Sequence, residues 1–318
     1  MSVIITGSDG FIGGYLLKYF RKKGIKVFGT EFKVHDLCQL DVCKKIICKV
    51  DNDELMILHC ASAPRKEATY SQEALTNNLT MFLNMVYVAS ETNSHMITFG
   101  SGSDVCRRSW NSELKEEDHI FNPPSANDLH SISKNYISRI VALSENKRLL
   151  QLRLFGVFGE GEDCRYKFIS NTIAKLLLNI EVTIAKDRVF EYLDVDDVAR
   201  LILLIYERIK ATGEMNVSTN DINLASGTKI SLKEIAMRIC SKIGKSTTIN
   251  TIEEGRDKGY GGCSKRFKRD FPEFIGTDFD ESIDRLIKYM KLQKAVLPER
   301  DLKKDKYLEY AKKITNLI

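Results

Sequence analysis

Proline is scarce in this chain, and so are tryptophan and long apolar runs. Five prolines and one tryptophan occur among 318 residues, and no stretch is dominated by proline, glycine or serine. We therefore expect a compact globular protein without a flexible linker, large enough for one large or two small domains. The longest strongly apolar run, Leu201–Tyr206, is far shorter than the about 20 residues that span a bilayer.

Paired cysteine motifs are also missing. None of the eight cysteines forms a CxxC pair, which argues against a zinc site, and no metal site is expected. An apolar strand is expected from residue 2 or 3, which leaves no room for the charged and apolar regions of a signal peptide. We therefore expect a cytoplasmic protein whose cysteines are reduced thiols.

Positive charge is in excess only near the end of the chain. The net charge is +5, and residues 256–318 carry 16 basic and 11 acidic side chains, while residues 1–255 are neutral. No groove-reading motif accompanies the basic segment, so nucleic acid is not expected as a partner. The excess is typical of a solvated helix face or of a site for a small anionic substrate. Apolar residues at helical spacing predict a basic C-terminal helix that packs on the protein rather than on a membrane.

The first fourteen residues hold the most informative pattern. An apolar, β-branched run at residues 3–5 is followed by Gly7, Gly10 and Gly13, and an amphipathic helix then extends to Gly24. Glycines at such a turn let main-chain N–H groups approach a diphosphate, whose charge the helix N-terminus favours. Because these glycines follow a strand and precede a helix, they predict a dinucleotide site. A glycine-rich turn that binds nothing is the alternative.

Strand and helix patterns alternate through the first half of the chain. The apolar runs expected as strands lie near residues 26–31, 55–61, 95–100 and 149–158, and the helices expected between them begin near residue 41 and cover 72–91 and 126–144. This rhythm predicts an α/β fold, a Rossmann-type doubly wound parallel sheet with helices on both faces.

The alternation loosens after Gly159, which predicts a smaller C-terminal α/β domain for the substrate. We expect residues 1–165 to form the dinucleotide-binding domain, with 190–225 returning to it, and residues 166–189 and 226–318 to form the substrate domain. Later helices are expected at 166–178, 194–210, 231–243 and 280–293, and later strands at 182–184, 222–224 and 247–252.

Eight short motifs occur in the order in which one enzyme family has them. They are TGSDGFIG (6–13), LHCAS (58–62), NNLT (77–80), FGSGS (99–103), SK (133–134), RLFGVFG (153–159), YLDVDDV (192–198) and INLASG (222–227). Over about residues 1–293 the sequence resembles the extended short-chain dehydrogenase/reductases, the NAD-dependent epimerase/dehydratase family, that act on nucleotide sugars. The resemblance implies a Rossmann domain for the cofactor and a smaller domain for a sugar nucleotide.

The resemblance also implies which residues meet the cofactor. They are Gly7, Asp9, Gly10, Phe11, Ile12, Gly13, Glu31, Asp36, Leu37, Cys60, Ala61, Asn78 and Lys134. Glu31, at the end of the second strand, can accept hydrogen bonds from ribose hydroxyls, which favours NAD. Lys33 stands nearby, so NADP is the alternative. Asp36 and Leu37 resemble the pair that brackets the adenine, although Asp36 also suits a plain turn.

The resemblance further implies that hydride passes between nicotinamide and a sugar carbon while a tyrosine, a lysine and a serine move the proton. The tyrosine and lysine are written YxxxK, which places them one turn apart on one helix face. Here the lysine is Lys134, but four residues before it stands His130. Tyr136 lies six residues from His130, about 240° around the helix, so it points elsewhere.

Three interpretations of His130 remain open. In the first, it is the general acid/base: its unperturbed pKa of about 6.5 is nearer neutrality than the about 10 of tyrosine, and the charge of Lys134 favours neutral imidazole. In the second, Ser101, Ser103 or a residue of the substrate domain moves the proton, and His130 only shapes the pocket. In the third, the protein binds its ligands without catalysis. Ser101 fits the family's serine position, and Ser103 lies on the same side if the strand continues.

Basic residues near the later motifs are candidates for the substrate. The predicted substrate-binding residues are Ser103, Arg153, Lys167, Asn171 and Arg188, because arginine and lysine suit phosphate oxygens. A surface ion pair is the alternative for each charged one. The short connection at 32–36, between the end of the second strand and Leu37, resembles that of sugar-nucleotide reductases more than that of epimerases. We therefore predict reduction of a 4-keto sugar nucleotide, or epimerisation through one, in the synthesis of a surface polysaccharide. The resemblance also implies a homodimer that pairs through helices 72–91 and 126–144.

Overall fold

The computed structural model describes residues 1–50, 54–64, 70–245 and 249–315. Its strands are β1 (Ser2–Thr6), β2 (Val27–Gly29), β3 (Leu55–His59), β4 (His95–Ser101), β5 (Leu149–Leu154), β6 (Val157–Phe158), β7 (Val182–Glu191), β8 (Leu193–Asp194), β9 (Asp221–Leu224), β10 (Lys229–Ser231) and β11 (Ile249–Asp257). Its helices are α1 (Phe11–Lys22), α2 (Leu40–Cys48), α3 (Gln72–Glu91), α4 (Asp118–Phe121), α5 (Leu129–Ala142), α6 (Phe168–Leu177), α7 (Val195–Thr212), α8 (Leu232–Ile243), α9 (Lys265–Asp270), α10 (Phe279–Leu292), α11 (Glu299–Lys303) and α12 (Lys306–Thr315).

Six of these strands form a parallel sheet in the order β2-β1-β3-β4-β5-β9. Strands β1, β3 and β5 are buried along their whole length, as expected where helices cover both faces. Apolar side chains of α1 and α7 pack on one face, and those of α2, α3 and α5 pack on the other. The predicted Rossmann-type α/β fold is confirmed.

The strand order reverses beside β1. The chain leaves β1 for β2 on one side and returns to β3 on the other side. Helices that leave neighbouring strands in opposite directions open a crevice at the carboxyl ends of those strands, where ligands of this fold bind. The glycine turn that follows β1 lies at this crevice.

The later part of the chain builds a second sheet, in the order β10-β7-β11. Strand β7 pairs antiparallel with β10 and parallel with β11. Helices α6, α8 and α10 pack around this sheet in a separate apolar core. Between β7 and β10 the chain returns to the first sheet, where β9 pairs with β5 and α7 contacts α1.

Three strand predictions need correction. The run 149–158 is not one strand, because the chain turns at Gly156, which has φ of 46° and separates β5 from β6. A Cβ at this position would lie 2.2 Å from the carbonyl oxygen of Glu191, so the turn requires glycine. Strand β7 runs to Glu191, well beyond the predicted 182–184. For the strand predicted at 247–252, residues 247 and 248 lie outside the described residues, and β11 extends to Asp257.

The helix predicted at 126–144 begins only at Leu129. Asp128 is its N-cap, and a side-chain oxygen of Asp128 accepts a hydrogen bond from the N–H of Ser131 at 3.2 Å. Across the residues that the structure describes, no helix has both the length and the apolar character that crossing a bilayer demands.

Candidate active site

The turn after β1 is built for a close approach of main chain. Gly7 has φ of 64°, and a Cβ there would lie 2.7 Å from the Cα of Ala61. A Cβ on Gly13 would lie 2.3 Å from the carbonyl oxygen of Gly7. Helix α1 begins directly after Gly10, and its first turn carries no acidic residue. The positive end of α1 therefore faces the crevice, which suits a diphosphate, and the nearby carboxylate of Asp9 is engaged by the N–H of Phe32 at 3.2 Å.

Hydrogen bonds tie this turn to the neighbouring strand ends. Thr30, just after β2, accepts from the N–H of Gly7 through its hydroxyl at 3.3 Å and from the N–H of Ser8 through its carbonyl at 2.9 Å. The Thr6 hydroxyl meets Nδ1 of His59 at 3.0 Å and accepts from the N–H of Ala61 at 3.2 Å. Burial lowers the pKa of His59 to about 3, so this imidazole is neutral.

One cleft, which we call the β1 cleft, opens beside the turn. Its lining residues are Gly7, Asp9, Thr30, Phe32, His35, Asp36, Leu37, Cys38, Ala61, Ser62, Ala63, Asn77 and Met81. Five of the predicted cofactor residues are therefore together at one crevice: Gly7, Asp9, Asp36, Leu37 and Ala61. The lining residues that the sequence did not predict belong mainly to the segments 30–38 and 61–63. In these segments the sequence pattern shows where the strands end but not which side chains face the cleft.

The predicted cofactor residues Glu31 and Asn78 lie beside this cleft without lining it, whereas Asp36 lines it. Glu31 is exposed at its rim. Asp36 also makes the turn that was its alternative role, because its carboxylate accepts from the N–H of Cys38 at 3.0 Å. Asn78 is buried, and its side-chain oxygen accepts from the N–H of Ala63 at 2.7 Å. Asn78 therefore holds the wall of the cleft, and its contact with the cofactor stays a prediction.

Helix α5 brings His130 and Lys134 to the carboxyl ends of the strands. The Nζ of Lys134 donates to the carbonyl oxygen of Phe99 in β4 at 2.8 Å. Burial lowers the pKa of Lys134, and this amine also lies close enough to Cys60, just beyond β3, to interact with it electrostatically. His130 lies one turn earlier on the same face. Tyr136 is half exposed, as the helical angle predicted.

A second cleft, which we call the large cleft, lies between the first sheet and the second. Its walls come from three parts of the fold. From the first sheet and α5 come Ser101, Ser103 and His130. From the segment around β6 and α6 come Gly156, Val157, Glu162, Tyr166, Lys167, Phe168 and Ile169. The rest comes from Arg107, Trp110, Ala185, Lys186, Arg188, Phe190, Tyr192, Leu232, Tyr260, Tyr307, Tyr310 and Ala311.

The two predicted serines meet at this cleft. The Oγ atoms of Ser101 and Ser103 are 3.0 Å apart, and the N–H of Ser103 donates to the Oγ of Ser101 at 3.2 Å. A short 3₁₀ turn at Gly102–Asp104 follows β4 and turns Ser103 toward its neighbour. Both hydroxyls therefore lie at the same wall as His130.

Basic side chains dominate the charge of the large cleft. Four of its lining residues are lysine or arginine, and one is glutamate. Arg107 pairs with Asp128 at 2.9 Å, and Arg188 pairs with Asp257 at 3.2 Å. The predicted Lys167 and Arg188 are thus both at the cleft. Such a lining favours an anionic ligand.

Tyrosines form much of the remaining wall, and among them only Tyr192 belongs to one of the sequence motifs. Burial raises the pKa of Tyr260 to about 12 and raises the pKa of Tyr192 and Tyr307 as well. These phenols keep their protons near neutrality, so they act as hydrogen-bonding groups rather than as bases. Tyr310, from α12, is a further member of this wall.

Glu191 holds the loop that carries Tyr260. Its carboxylate is fully buried and accepts from the N–H of Gly227 at 2.6 Å and from the N–H of Gly262 at 2.7 Å. Tyr260 packs on Trp110 with ring centroids 4.5 Å apart. A glycine-rich run around a tyrosine, at 259–262, is the one sequence signal that could have pointed to this loop.

Arg153 and Asn171 do not line the large cleft, and both predictions are corrected. The guanidinium of Arg153 is 1% exposed and pairs with Asp104 and Asp221, each at 2.8 Å. Its donors are used inside the core, so none is available to a substrate. Asn171 is also buried, and its amide donates to the carbonyl oxygen of Cys164 at 2.8 Å.

Comparison with known proteins agrees with this architecture. Residues 3–220 match the family described as the NAD dependent epimerase/dehydratase family. The chain belongs to the NAD-dependent epimerase/dehydratase family. Members of this family are enzymes that use NAD(P), and the cofactor predicted from the resemblance is confirmed. The residues at the β1 cleft fit that cofactor, because the spaces above Gly7 and Gly13 admit main chain and no Cβ.

Solved structures of similar fold share most of the chain. A GDP-L-fucose synthetase from Naegleria fowleri is 17% identical over 93% of this chain and 94% of its own, with a TM-score of 0.73. The UDP-glucose 4-epimerase of Thermotoga maritima is 16% identical over 92% and 99%, with a TM-score of 0.73. The GDP-mannoheptose C4 reductase of Campylobacter jejuni is 20% identical over 91% and 98%, with the same TM-score. At these identities the likeness concerns the fold.

Proposed function

We propose that this family member transfers hydride between NAD(P) and a sugar carbon of a nucleotide sugar, either by reducing a 4-keto sugar or by epimerising through one. The observation that carries this proposal is the presence of two different clefts at the carboxyl ends of the strands of the first sheet. The β1 cleft has the glycine turn and helix N-terminus that a dinucleotide needs, and the large cleft has hydroxyls, an imidazole and four basic residues.

The β1 cleft would hold the dinucleotide by main chain and by a few side chains. N–H groups at the start of α1, with Gly7, Gly10 and Gly13, receive the diphosphate. Asp36 and Leu37 border the adenine, and Glu31 at the rim receives ribose hydroxyls in NAD. We assign residues 1–165, together with 190–225, to the cofactor side of the protein, and 166–189 with 226–318 to the substrate side.

Lys134 and His130 would act at the carboxyl ends of the strands, where His130 lines the large cleft. When bound, the reduced cofactor supplies the hydride to the carbonyl carbon of the sugar. The alcohol oxygen that forms needs a proton, and His130 donates it from the helix face that also carries Lys134. The hydroxyls of Ser101 and Ser103 donate hydrogen bonds to the same oxygen and so favour its developing negative charge.

His130 is preferred over the tyrosines of the large cleft as the proton donor and acceptor. An imidazole exchanges a proton near neutral pH, whereas buried phenols with a raised pKa do not ionise there. Arg107, Lys186 and Arg188 would neutralise the diphosphate of the sugar nucleotide. Two structures of similar fold are a 4-epimerase and a C4 reductase, which supports chemistry at C4. We place this reaction in the cytoplasm, in the supply of sugars for a polysaccharide.

The decisive experiment follows cofactor absorbance with purified protein. NADH or NADPH is mixed with 4-keto sugar nucleotides that carry GDP, UDP or dTDP, and the product's stereochemistry is determined. We expect consumption of the cofactor with at least one of them. Loss of turnover in His130→Ala, with part of it kept in His130→Tyr, would support the assigned role of His130.

A binding protein that does not catalyse is the second candidate. It is favoured by one observation, the histidine at the family's tyrosine position. Tight binding of NAD(P) and of sugar nucleotides, with no turnover across the same panel, would establish it. Absence of binding by any dinucleotide would refute both candidates.

We also propose a homodimer that pairs through α3 and α5. The two helices pack side by side, and each leaves large apolar side chains exposed: Leu83 and Tyr87 on α3, and Tyr136 and Ile140 on α5. Sedimentation velocity should show a dimer that Leu83→Arg dissociates. Leu292→Arg, at a still more exposed leucine on α10, is the matched control and should leave the dimer intact.

A further inference from the structure

One acidic side chain stands out in the large cleft. Glu162 lies between β6 and α6 and is the one carboxyl group among the described residues that line this cleft. Ser170, in the first turn of α6, lies close enough to this carboxyl group to lower its pKa, while the Ser170 hydroxyl donates to the carbonyl oxygen of Lys167 at 3.3 Å. One carboxyl oxygen of Glu162, Oε2, is buried and receives no hydrogen bond from any residue that the structure describes.

An unsatisfied buried oxygen of this kind is costly. Leaving a buried polar group without its hydrogen bond destabilises a protein by about 1–3 kcal/mol, and more when the group is charged. Burial also raises the pKa of Glu162 to about 7, against the opposing effect of Lys167. The chain could have avoided this cost with an apolar residue. A ligand group that completes the hydrogen bonding explains why a carboxyl is present.

The chemistry of the cleft decides which ligand group that is. A phosphate would be repelled by a carboxylate and attracted by Arg107, Lys186 and Arg188 on the same lining. A sugar hydroxyl is neutral and can donate to Oε2. The lining therefore offers basic side chains to an anionic part of the ligand and one carboxyl group to a hydroxyl-bearing part.

We propose that Glu162 is a specificity-determining residue whose Oε2 accepts a hydrogen bond from a hydroxyl group of the sugar in a bound sugar nucleotide. This inference rests on the proposed function, since it names a contact of the same substrate. It adds a residue that is outside the eight motifs of the family resemblance. It implies that the protein distinguishes sugars by the hydroxyl that reaches Glu162.

Calorimetry on the NADP-loaded protein tests this contact without relying on turnover. UDP-glucose, GDP-mannose and dTDP-glucose are each titrated beside the matching nucleoside diphosphate, so that the contribution of the sugar is measured separately. For a sugar nucleotide that binds, we expect Glu162→Gln to weaken its affinity by about tenfold, the size of one hydrogen bond to a charged group. The affinity for the sugar-free diphosphate should not change.

Glu160→Gln is the matched control, because Glu160 lies in the same loop, is exposed and is not part of the cleft lining. It should leave both affinities as they are. Glu162→Gln preserves the shape of the side chain, and an unchanged affinity for NADP shows that the variant is folded.

Two results would overturn the assignment of Glu162 alone. They are an unchanged sugar-nucleotide affinity in Glu162→Gln, and an equal loss for the sugar nucleotide and for the bare diphosphate. If the unaltered protein binds NADP but none of the six nucleotides, the proposed function fails with it. The two failures are therefore distinguishable.

Discussion

The imidazole ring of His130 stacks on the phenol ring of Tyr70, with ring centroids 4.7 Å apart and ring planes inclined by 23°. Tyr70 directly precedes Ser71, the N-cap of α3, and His130 lies two residues after Asp128, the N-cap of α5. The stack therefore joins two helix starts and restricts the rotation of the imidazole. A ring that must exchange a proton with a bound sugar benefits from such a fixed position.

Removing the ring of Tyr70 should slow the reaction more than it affects binding. We expect Tyr70→Ala to lower kcat by about three- to tenfold, the size of one aromatic pair, with the affinity for NADP unchanged. Tyr70→Phe keeps the stacked ring and should stay near the unaltered rate. If Tyr70→Phe falls as far as Tyr70→Ala, the hydroxyl rather than the stack is what matters.

Gly13→Ala should abolish tight dinucleotide binding. The added Cβ would lie 2.3 Å from the carbonyl oxygen of Gly7, so the turn must open and its N–H groups must move. Fluorescence titration with NADH should show a loss of affinity of at least about tenfold, more than 1.4 kcal/mol. Gly276→Ala is the control, since its Cβ would meet a side-chain oxygen at an ordinary 3.4 Å. Equal affinities for the two variants would contradict the proposed role of the turn.

Arg153→Met should destabilise the fold strongly. It would leave the buried carboxylates of Asp104 and Asp221 without their shared partner, at a cost of about 3–5 kcal/mol in the free energy of unfolding. Urea denaturation measures this directly. The control is Arg165→Met, whose ion pair with Asp163 is exposed and should be worth about 1 kcal/mol or less. A small loss of stability in Arg153→Met would show that the carboxylates of Asp104 and Asp221 do not depend on the charge of Arg153.

His59 should make the protein less stable in mild acid. Its pKa is about 3 in the folded protein, against the ordinary 6.5. Below pH 6.5, His59 is therefore protonated in the unfolded chain but stays neutral in the folded protein. The contribution is complete above about pH 6.5 and is lost toward pH 3, by about 1.4 kcal/mol for each pH unit.

The test compares urea unfolding at about pH 7.5 and about pH 5.5, within that window. The difference between the two free energies should be smaller in His59→Gln than in the unaltered protein. His35→Gln replaces a histidine that is only partly buried and serves as the control. An unchanged difference in His59→Gln would assign the acid sensitivity to other groups.

Asp305→Asn should weaken the binding of a sugar nucleotide but not of the cofactor. Lys175 in α6 is 1% exposed, and its Nζ lies 2.6 Å from the carboxylate of Asp305, which caps α12. Asparagine tolerates the positive φ of 54° at this position, so the change removes the charge pair and little else.

Because α12 contributes Tyr307 and Tyr310 to the large cleft, we expect KM for the sugar nucleotide to rise by about tenfold, the effect of breaking one charge-assisted contact. The affinity for NADP should not change. Asp284→Asn removes an exposed ion pair with Lys242 and is the control. A parallel loss of NADP affinity would mean that the whole fold had loosened.

The first sheet was predictable because its physical signals are local. Each buried strand is a short apolar run in the sequence, and in each helix between two strands the apolar residues recur at helical spacing. Strand β7 was predicted too short because Lys186, Asp187 and Arg188 interrupt its apolar pattern. Their partners, among them Glu253, Arg256 and Asp257, lie about seventy residues away, and no local rule reveals them.

The candidate site divides in the same way. The glycine turn and the position of His130 before Lys134 could be identified from spacing alone. The role of Arg153 could not, because Asp104 and Asp221 approach it only through the order of the strands. The tyrosines of α12 were also missed, since the sequence shows the period of that helix and not the surface on which it packs.

The route of the chain between the two sheets has a consequence for dissecting the protein. After β5 it leaves for β7, comes back to lay α7 and β9 against the first sheet, and departs again for β10. A fragment that ends near residue 165 would lack β9, the outermost strand of the first sheet. The edge of β5 would then be exposed and could pair with a strand of another molecule. The parts of the chain that build the two sheets therefore depend on each other for folding. Neither part can be transferred to another protein by cutting the chain at one point.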